Sequence, residues 1–269
     1  MTSEKRQVFF VSDSTGITAE TLGNSLLSQF TGEFAKRRIP FIATAELAVS
    51  LAEDIARIPA DAPQPIVFMT VMAPEVREIL QGTAAITIDL VETNLATLEE
   101  TLGQTARRDR GLFHTIDDAD RYRDRMSAVE FALDHDDGES LKGLSLADVI
   151  LIAPSRCGKT PTTMYLAVNH GVRAANVPLL EEDLLAQTLP EPIRGLPSPI
   201  FGLTSTPQRL HQVREERRPN SPYSALAQCA FEIKSAESLY ESHHIPFLDT
   251  SGRSIEEISA IIIQTLGLK

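Results

Sequence analysis

The chain has 269 residues, 42% of them hydrophobic, which is enough for one large core or two smaller ones. Tryptophan is absent and aromatics make up only 6%, so the core must be mainly aliphatic. Lys plus Arg number 25 against 37 Asp plus Glu, and the net charge of −12 argues against a nucleic-acid or anionic-membrane partner.

The two cysteines, Cys157 and Cys229, fit no metal or disulfide spacing and suit a reducing cytoplasm. The apolar run 8–11 is too short for a signal peptide, and no run approaches the length of a membrane span.

Residues 7–11 read as a buried strand. They lead through Ser12-Asp13-Ser14-Thr15-Gly16 into a predicted helix over 17–30, with Leu22, Leu26 and Leu27 on one face. Such a turn suits either an anion or hydroxylated substrate, or a helix cap that satisfies orphan amides. Ile39-Pro40-Phe41-Ile42 is the next strand candidate, and Leu47, Leu51, Ile55 and Ile58 give a helix over 46–58. Residues 65–71 form the clearest buried strand of the first half. A helix over 74–81, a short strand over 85–88 and a helix over 90–107 follow. Strands alternating with helices predict a layered α/β unit with a mainly parallel sheet.

Residues 107–125 are strongly charged, and 122–134 read as a helix ending in His135-Asp136-Asp137-Gly138-Glu139. With Gly143 close behind, this acidic stretch marks the expected boundary between an N-terminal α/β half, 1–143, and a second domain, 144–269. The Asp136-Asp137 pair has two readings, a metal or proton site and a solvated turn.

The second half opens on Val149-Ile150-Leu151-Ile152, a strand of the type buried on both faces. The loop Ala153-Pro154-Ser155-Arg156-Cys157-Gly158-Lys159-Thr160 follows, and then a helix capped by Gly171, with Met164, Ala167 and Val168 on one side. Strand, loop ending in Gly-Lys-Thr, and helix is the setting of a Walker A phosphate loop. Its backbone amides and helix N-terminus favour phosphate, Lys159 supplies a point charge, and Thr160 offers a hydroxyl to Mg²⁺. Ala153 stands where such loops open with Gly, and it serves if its φ is negative.

A strand over 173–177 comes next, and then Glu181-Glu182-Asp183, read either as an acidic first helical turn or as groups meeting a substrate hydroxyl or Mg²⁺. A Pro-rich connection over 190–199 precedes a strand at 200–204 and a helix over 207–218. That helix carries Arg209, Arg214, Arg217 and Arg218, either a phosphate-clamping lid or a solvated face shared with Glu215 and Glu216. A helix over 224–243, a strand over 245–249 whose terminal Asp249 resembles a Walker B position, and a helix over 255–266 complete the chain. The fold expected is thus α/β, a C-terminal P-loop kinase-like parallel sheet with an N-terminal α/β half.

Over nearly its whole length the chain resembles the phosphoenolpyruvate synthase regulatory proteins, relatives of the pyruvate, phosphate dikinase regulatory proteins. The resemblance rests on residues 11–20, on His135-Asp136-Asp137-Gly138 and on Ser155-Arg156-Cys157-Gly158-Lys159-Thr160-Pro161-Thr162. It extends to Arg173-Ala174-Ala175-Asn176, Phe201-Gly202-Leu203-Thr204, Arg214-Glu215-Glu216-Arg217-Arg218 and Asn220-Ser221. The family loop usually opens with Gly, so Ala153 is a departure.

The resemblance implies a cytoplasmic bifunctional enzyme. Members phosphorylate a threonine of phosphoenolpyruvate synthase with ADP, which inactivates it, and remove that phosphate with inorganic phosphate, releasing pyrophosphate. ADP would lie on residues 153–160, with Lys159, Asp183, Arg217 and Arg218 catalytic, Thr160 on Mg²⁺ and room for a homodimer. The residues alone also admit a P-loop small-molecule kinase and a nucleotide-gated, non-catalytic binding module.

Overall fold

A computed structural model of the chain describes residues 5–108, 118–138, 140 and 142–268, with only the backbone of 118–121. Part of the charged segment 107–125, and Glu139 of the acidic stretch, lie outside the described residues. The chain divides into two compact units, Met1–Phe113 and His114–Lys269. The division therefore falls well before Gly143.

Apolar runs separated by polar and glycine-bearing turns build the first unit. Its elements are β1 (Arg6–Ser12), α1 (Ile17–Leu27), β2 (Phe34–Ile39), α2 (Ala45–Ala56), β3 (Ile66–Thr70), α3 (Pro74–Gln81), β4 (Ile86–Asp89) and α4 (Glu92–Leu102). The four strands form one parallel sheet in the order β2-β1-β3-β4. Alternate residues of the central strands feed different layers, as the two-residue strand period requires. Phe9, Val11, Val67 and Met69 pack with Leu51 and Ile55 of α2 and Val76 and Leu80 of α3. Val8, Phe10 and Phe68 pack with Ala19 and Leu27 of α1.

Two sequence expectations are corrected here. The second strand ends at Ile39 and does not run through Pro40, which has no N–H to give a ladder. The buried face of α1 is Ala19, Gly23 and Leu27, while Leu22 and Leu26 are exposed. A Cβ at Gly23 would meet the Phe10 ring at 2.5 Å, so the small residue sets which face turns inward.

The second unit contains α5 (Asp118–Asp134), β5 (Val149–Ala153), α6 (Lys159–His170), β6 (Ala174–Pro178), α7 (Glu181–Ala186), β7 (Ile200–Thr204), α8 (Pro207–Arg217), α9 (Leu226–Ser242), β8 (Phe247–Asp249) and α10 (Ile255–Leu266). Its sheet is again parallel, in the order β6-β5-β7-β8. Every residue of β5 is fully buried. Val149, Leu151 and Ala153 face Leu166, Ile258 and Ile262, whereas Ile150 and Ile152 face Leu184, Ala236, Leu239 and Tyr240. Helix α5 packs on α6 through Ala128, Ala132 and Ala167, which is why it belongs to this unit and the boundary precedes it.

Gly202 lies in β7 against Tyr240. A Cβ there would stand 2.8 Å from the Tyr240 ring and 2.9 Å from Phe247 Cβ, so only glycine fits without a shift. That approach lets the Tyr240 hydroxyl reach the carbonyls of Ile152 and Leu203, both at 3.1 Å, tying the two strands beside the site.

Candidate functional site

In the sheet of the second unit the order reverses at β5: β6 lies on one side and β7 on the other. In parallel α/β sheets the crevice beyond the carboxyl ends of the strands at such a point is the usual place for a ligand. The loop between β5 and α6, residues 154–158, occupies it.

Ala153 ends β5 and is not among the residues with positive φ, so its Cβ is accommodated where related loops carry glycine. The left-handed conformations fall later, at Arg156 (φ 77°) and Gly158 (φ 89°). A Cβ at Gly158 would meet no atom within 4 Å, so glycine is needed there for its φ and leaves the backbone open to an approaching group. Arg156 holds the left-handed region without that freedom and is exposed; strain of this kind gathers at ligand-binding loops.

Lys159 is the first residue of α6 and is buried. Its ammonium donates to the carbonyl of Ala153 at 3.1 Å and to that of Pro154 at 3.5 Å. Burial lowers its pKa, opposed by the nearby Cys157, Asp137 and Asp136. Burial likewise pushes the Cys157 thiol up to about 12.

The loop is braced from α8 and α9. Arg214 is fully buried, donates to the Ser155 carbonyl at 3.0 Å and pairs with Glu232 at 2.6 Å. Its guanidinium stacks over the Tyr223 ring at 4.2 Å, and the Tyr223 hydroxyl donates to Ser155 Oγ at 3.0 Å. Thr250 donates to the Cys157 carbonyl at 3.3 Å. Arg214 therefore supports the loop from beneath and does not share the outward face of Arg217 and Arg218, which are exposed at the end of α8. The expectation that the three project together is corrected. Residues three and four apart would share one helix face, but Arg217 is the last residue of α8 and Arg218 its non-helical C-cap (φ −138°, ψ 80°), so the two leave the core where Arg214 enters it.

On the other flank, Thr160 donates to Asp136 at 2.9 Å. Asn176, wholly buried in β6, lies within hydrogen-bonding distance of Asp136, Asp137 and Thr160. His135 fixes the approach to this pair. Its ring nitrogens lie 2.8 Å from the Phe131 carbonyl and 3.0 Å from that of Lys142, and its own carbonyl accepts the Asn176 N–H at 2.9 Å. The Asp136-Asp137 pair thus reaches the start of α6.

Asp183 is buried and accepts the Leu180 N–H at 3.0 Å, capping its own helix. It also lines a cavity of about 510 Å³ together with Asp137, Gly138, Pro178 and Arg194. Asp249, by contrast, is exposed on the edge strand β8, with β7 between it and β5. Its carboxylate accepts the Ser251 N–H at 2.8 Å and closes a turn, so the Walker B likeness does not bring it to Thr160. Beyond that turn Arg253 joins Arg156, Arg209 and Ser251 around a small cavity of about 170 Å³ beside Gly158. Sequence reasoning passed over Arg253 and Asn176. Asn176 stands in one of the motifs that carry the family resemblance, whereas Arg253, just beyond the edge strand β8, had no such signal.

A loop ending in Gly-Lys-Thr, with a buried lysine at a helix start and carboxylates at its flank, is the arrangement of a phosphate-handling α/β protein. Comparison narrows the class. The chain belongs to the kinase/pyrophosphorylase family, whose profile matches residues 8–263. It is 46% identical over 267 residues to a protein of Laribacter hongkongensis, covering 98% of this chain and 97% of that one. It is 47% identical over 266 residues to a protein of Aromatoleum aromaticum, covering 98% and 96%. A protein of Neisseria gonorrhoeae is 44% identical over 269 residues, covering 99% and 98%. Each of these relatives bears the name "Putative phosphoenolpyruvate synthase regulatory protein". Among the described residues no helix is long and apolar enough to cross a membrane.

Proposed function

We propose that this protein is a cytoplasmic ADP-dependent serine/threonine kinase and phosphate-dependent pyrophosphorylase acting on phosphoenolpyruvate synthase. The observation that carries the reading is Lys159, buried at the start of α6 behind a loop with left-handed Arg156 and Gly158, in a chain of the kinase/pyrophosphorylase family. The names of its relatives supply the protein substrate.

In the forward direction the threonine hydroxyl gives up its proton and attacks the β-phosphorus of ADP, and the bond from that phosphorus to the oxygen bridging the two phosphates breaks. The threonine oxygen takes the phosphoryl group, and AMP leaves. In the reverse direction an oxygen of inorganic phosphate attacks the phosphothreonine phosphorus, and threonine and pyrophosphate are released. Residues 153–160 hold the nucleotide phosphates through backbone amides, and Lys159 offsets their charge. The donor set fits Mg²⁺, because the Thr160 hydroxyl stands beside the Asp136 carboxylate at the helix start. A cation there would neutralise phosphate charge.

Incubating the protein with purified phosphoenolpyruvate synthase in separate ADP and phosphate reactions tests the whole reading. Phosphothreonine must appear in the first and pyrophosphate in the second. Transfer to a small molecule alone would make it a different kinase, and binding without turnover would make it a nucleotide-gated module.

Asp183 is assigned to the acceptor threonine, since it shares a cavity with Asp137 beside the loop strand. Asp183→Asn should lower turnover by about 10²-fold or more while ADP affinity stays within about twofold, as for loss of a positioned base. An unchanged turnover number would remove Asp183 from the reaction.

Arg217 and Arg218 are assigned to the attacking phosphate of the reverse reaction because they are exposed at the end of α8. Replacing both with Gln should raise the Michaelis constant for phosphate well beyond its effect on ADP. If they only decorate a solvated face, both constants will stay within about twofold.

A further inference from the structure

The cavity of about 170 Å³ beside Gly158 is built from the β7 and β8 side of the loop, whereas the cavity holding Asp183 is built from the β6 side. Three exposed arginines line it, Arg156, Arg209 and Arg253, and none has an ion-pair partner among the described residues. In a chain of net charge −12, three unpaired guanidiniums around one small space stand out. The deeper lining is aliphatic, with Leu210 and Ile258 buried. Ser205 lines it too. That residue is only 7% exposed, and its hydroxyl has no hydrogen-bond partner among the described residues. A buried hydroxyl left unpaired beside a cavity needs a physical reason. The nearby Thr250 hydroxyl, by contrast, is committed to the carbonyls of Thr204 at 2.9 Å and Cys157 at 3.3 Å, which fixes the turn after β8 against the loop.

A bare phosphate would use the guanidiniums but not the aliphatic wall. A flat heterocycle joined to a sugar uses both: its faces pack on aliphatic carbon and on guanidinium planes, and its polar edge takes a hydroxyl partner. Position gives the same answer. The β-phosphorus of ADP must face the acceptor, on the side of Asp183, so the rest of the nucleotide runs to the opposite side of the loop. We propose that this cavity is the nucleoside subsite, taking the adenosine of ADP with the Ser205 hydroxyl bonded to it and Arg209 and Arg253 stacked on its base. Arg156, in the loop itself, is left for the phosphate next to the ribose. This inference rests on the reading of residues 153–160 as the nucleotide site and adds what holds the other half of the nucleotide. The phosphate-dependent reaction involves no nucleoside, so the subsite separates the two directions.

Calorimetric titration of the full-length protein with ADP, AMP and pyrophosphate tests the subsite, because only the first two carry a nucleoside. Ser205→Ala and Arg253→Met should each weaken ADP and AMP by about fivefold, the scale of one lost hydrogen bond or cation–π contact, while pyrophosphate stays within about twofold. In turnover the Michaelis constant for ADP should rise and that for phosphate in the reverse reaction should not. Melting curves establish that each variant is folded, and Ser205→Ala, which removes a single oxygen, keeps the test open if Arg253→Met is unstable. Parental ADP affinity in both variants would overturn the subsite and leave the loop its nucleotide. An equal loss for pyrophosphate would make the cavity a phosphate site and overturn it as well. A parent protein that binds pyrophosphate but neither ADP nor AMP would count against the nucleotide reading itself, and the subsite would fall with it.

Discussion

Lys159→Ala should lower ADP-dependent phosphorylation by about 10²- to 10³-fold, the scale seen when a preorganised charge-stabilising group is removed. The fold should survive the change. The Ala153 carbonyl, which the ammonium now contacts at 3.1 Å, also accepts the Leu179 N–H at 3.1 Å and so keeps a partner. The Ser155 carbonyl is held from the opposite side by Arg214, independently of Lys159. Turnover measured beside a melting curve separates the two effects. A folded variant with near-parental turnover would refute the assignment of this loop to phosphate.

Arg214→Ala should have the largest effect on stability. The guanidinium is fully buried, its partner Glu232 is largely buried, and it also serves the Ser155 and Tyr223 carbonyls. Removing one member of a buried ion pair leaves an uncompensated charge and costs about 3–5 kcal/mol. For a chain of this size each kcal/mol corresponds to about 2–4 °C, so a fall on the order of 10 °C is expected. Urea unfolding supplies the free energy directly. The double variant Arg214→Met with Glu232→Leu should recover much of the loss, because it removes the stranded carboxylate along with its partner. A loss below about 1 kcal/mol would show that the pair behaves like an exposed one.

Much of this architecture was legible because apolar runs and their punctuation carry it. The strand at 200–204 and the helices at 74–81 and 255–266 have the bounds that their sequence pattern predicts. What escaped did so for identifiable reasons. Phe34–Ile39 is an edge strand whose middle is Lys-Arg-Arg, so it has no apolar signature and is held by pairing with β1. The inward face of α1 is set by the space between Gly23 and the Phe10 ring, a tertiary fact absent from helical spacing.

At the site, Gly158-Lys159-Thr160 was readable as a local motif. The neighbours that complete it come from distant positions. Asp136 precedes β5, Asn176 lies in β6 and Glu232 in α9, and only the sheet order brings them to one loop. Arg214 shows the limit most plainly. A cluster of arginines on one helix looks uniform as a string, yet one of them is core and its neighbours face solvent.

The thiol of Cys157 gives the loop a chemical character that its position would not suggest. A cysteine beside a lysine at a helix start is the setting in which thiolates form readily and react with peroxide or disulfides. Here burial keeps the sulfur protonated, with its pKa pushed up to about 12. Only the thiolate climbs the oxidation ladder, so this sulfur has little access to its first rung, the sulfenic acid. Oxidants that act on exposed thiolates should therefore modify Cys157 slowly while the fold is intact.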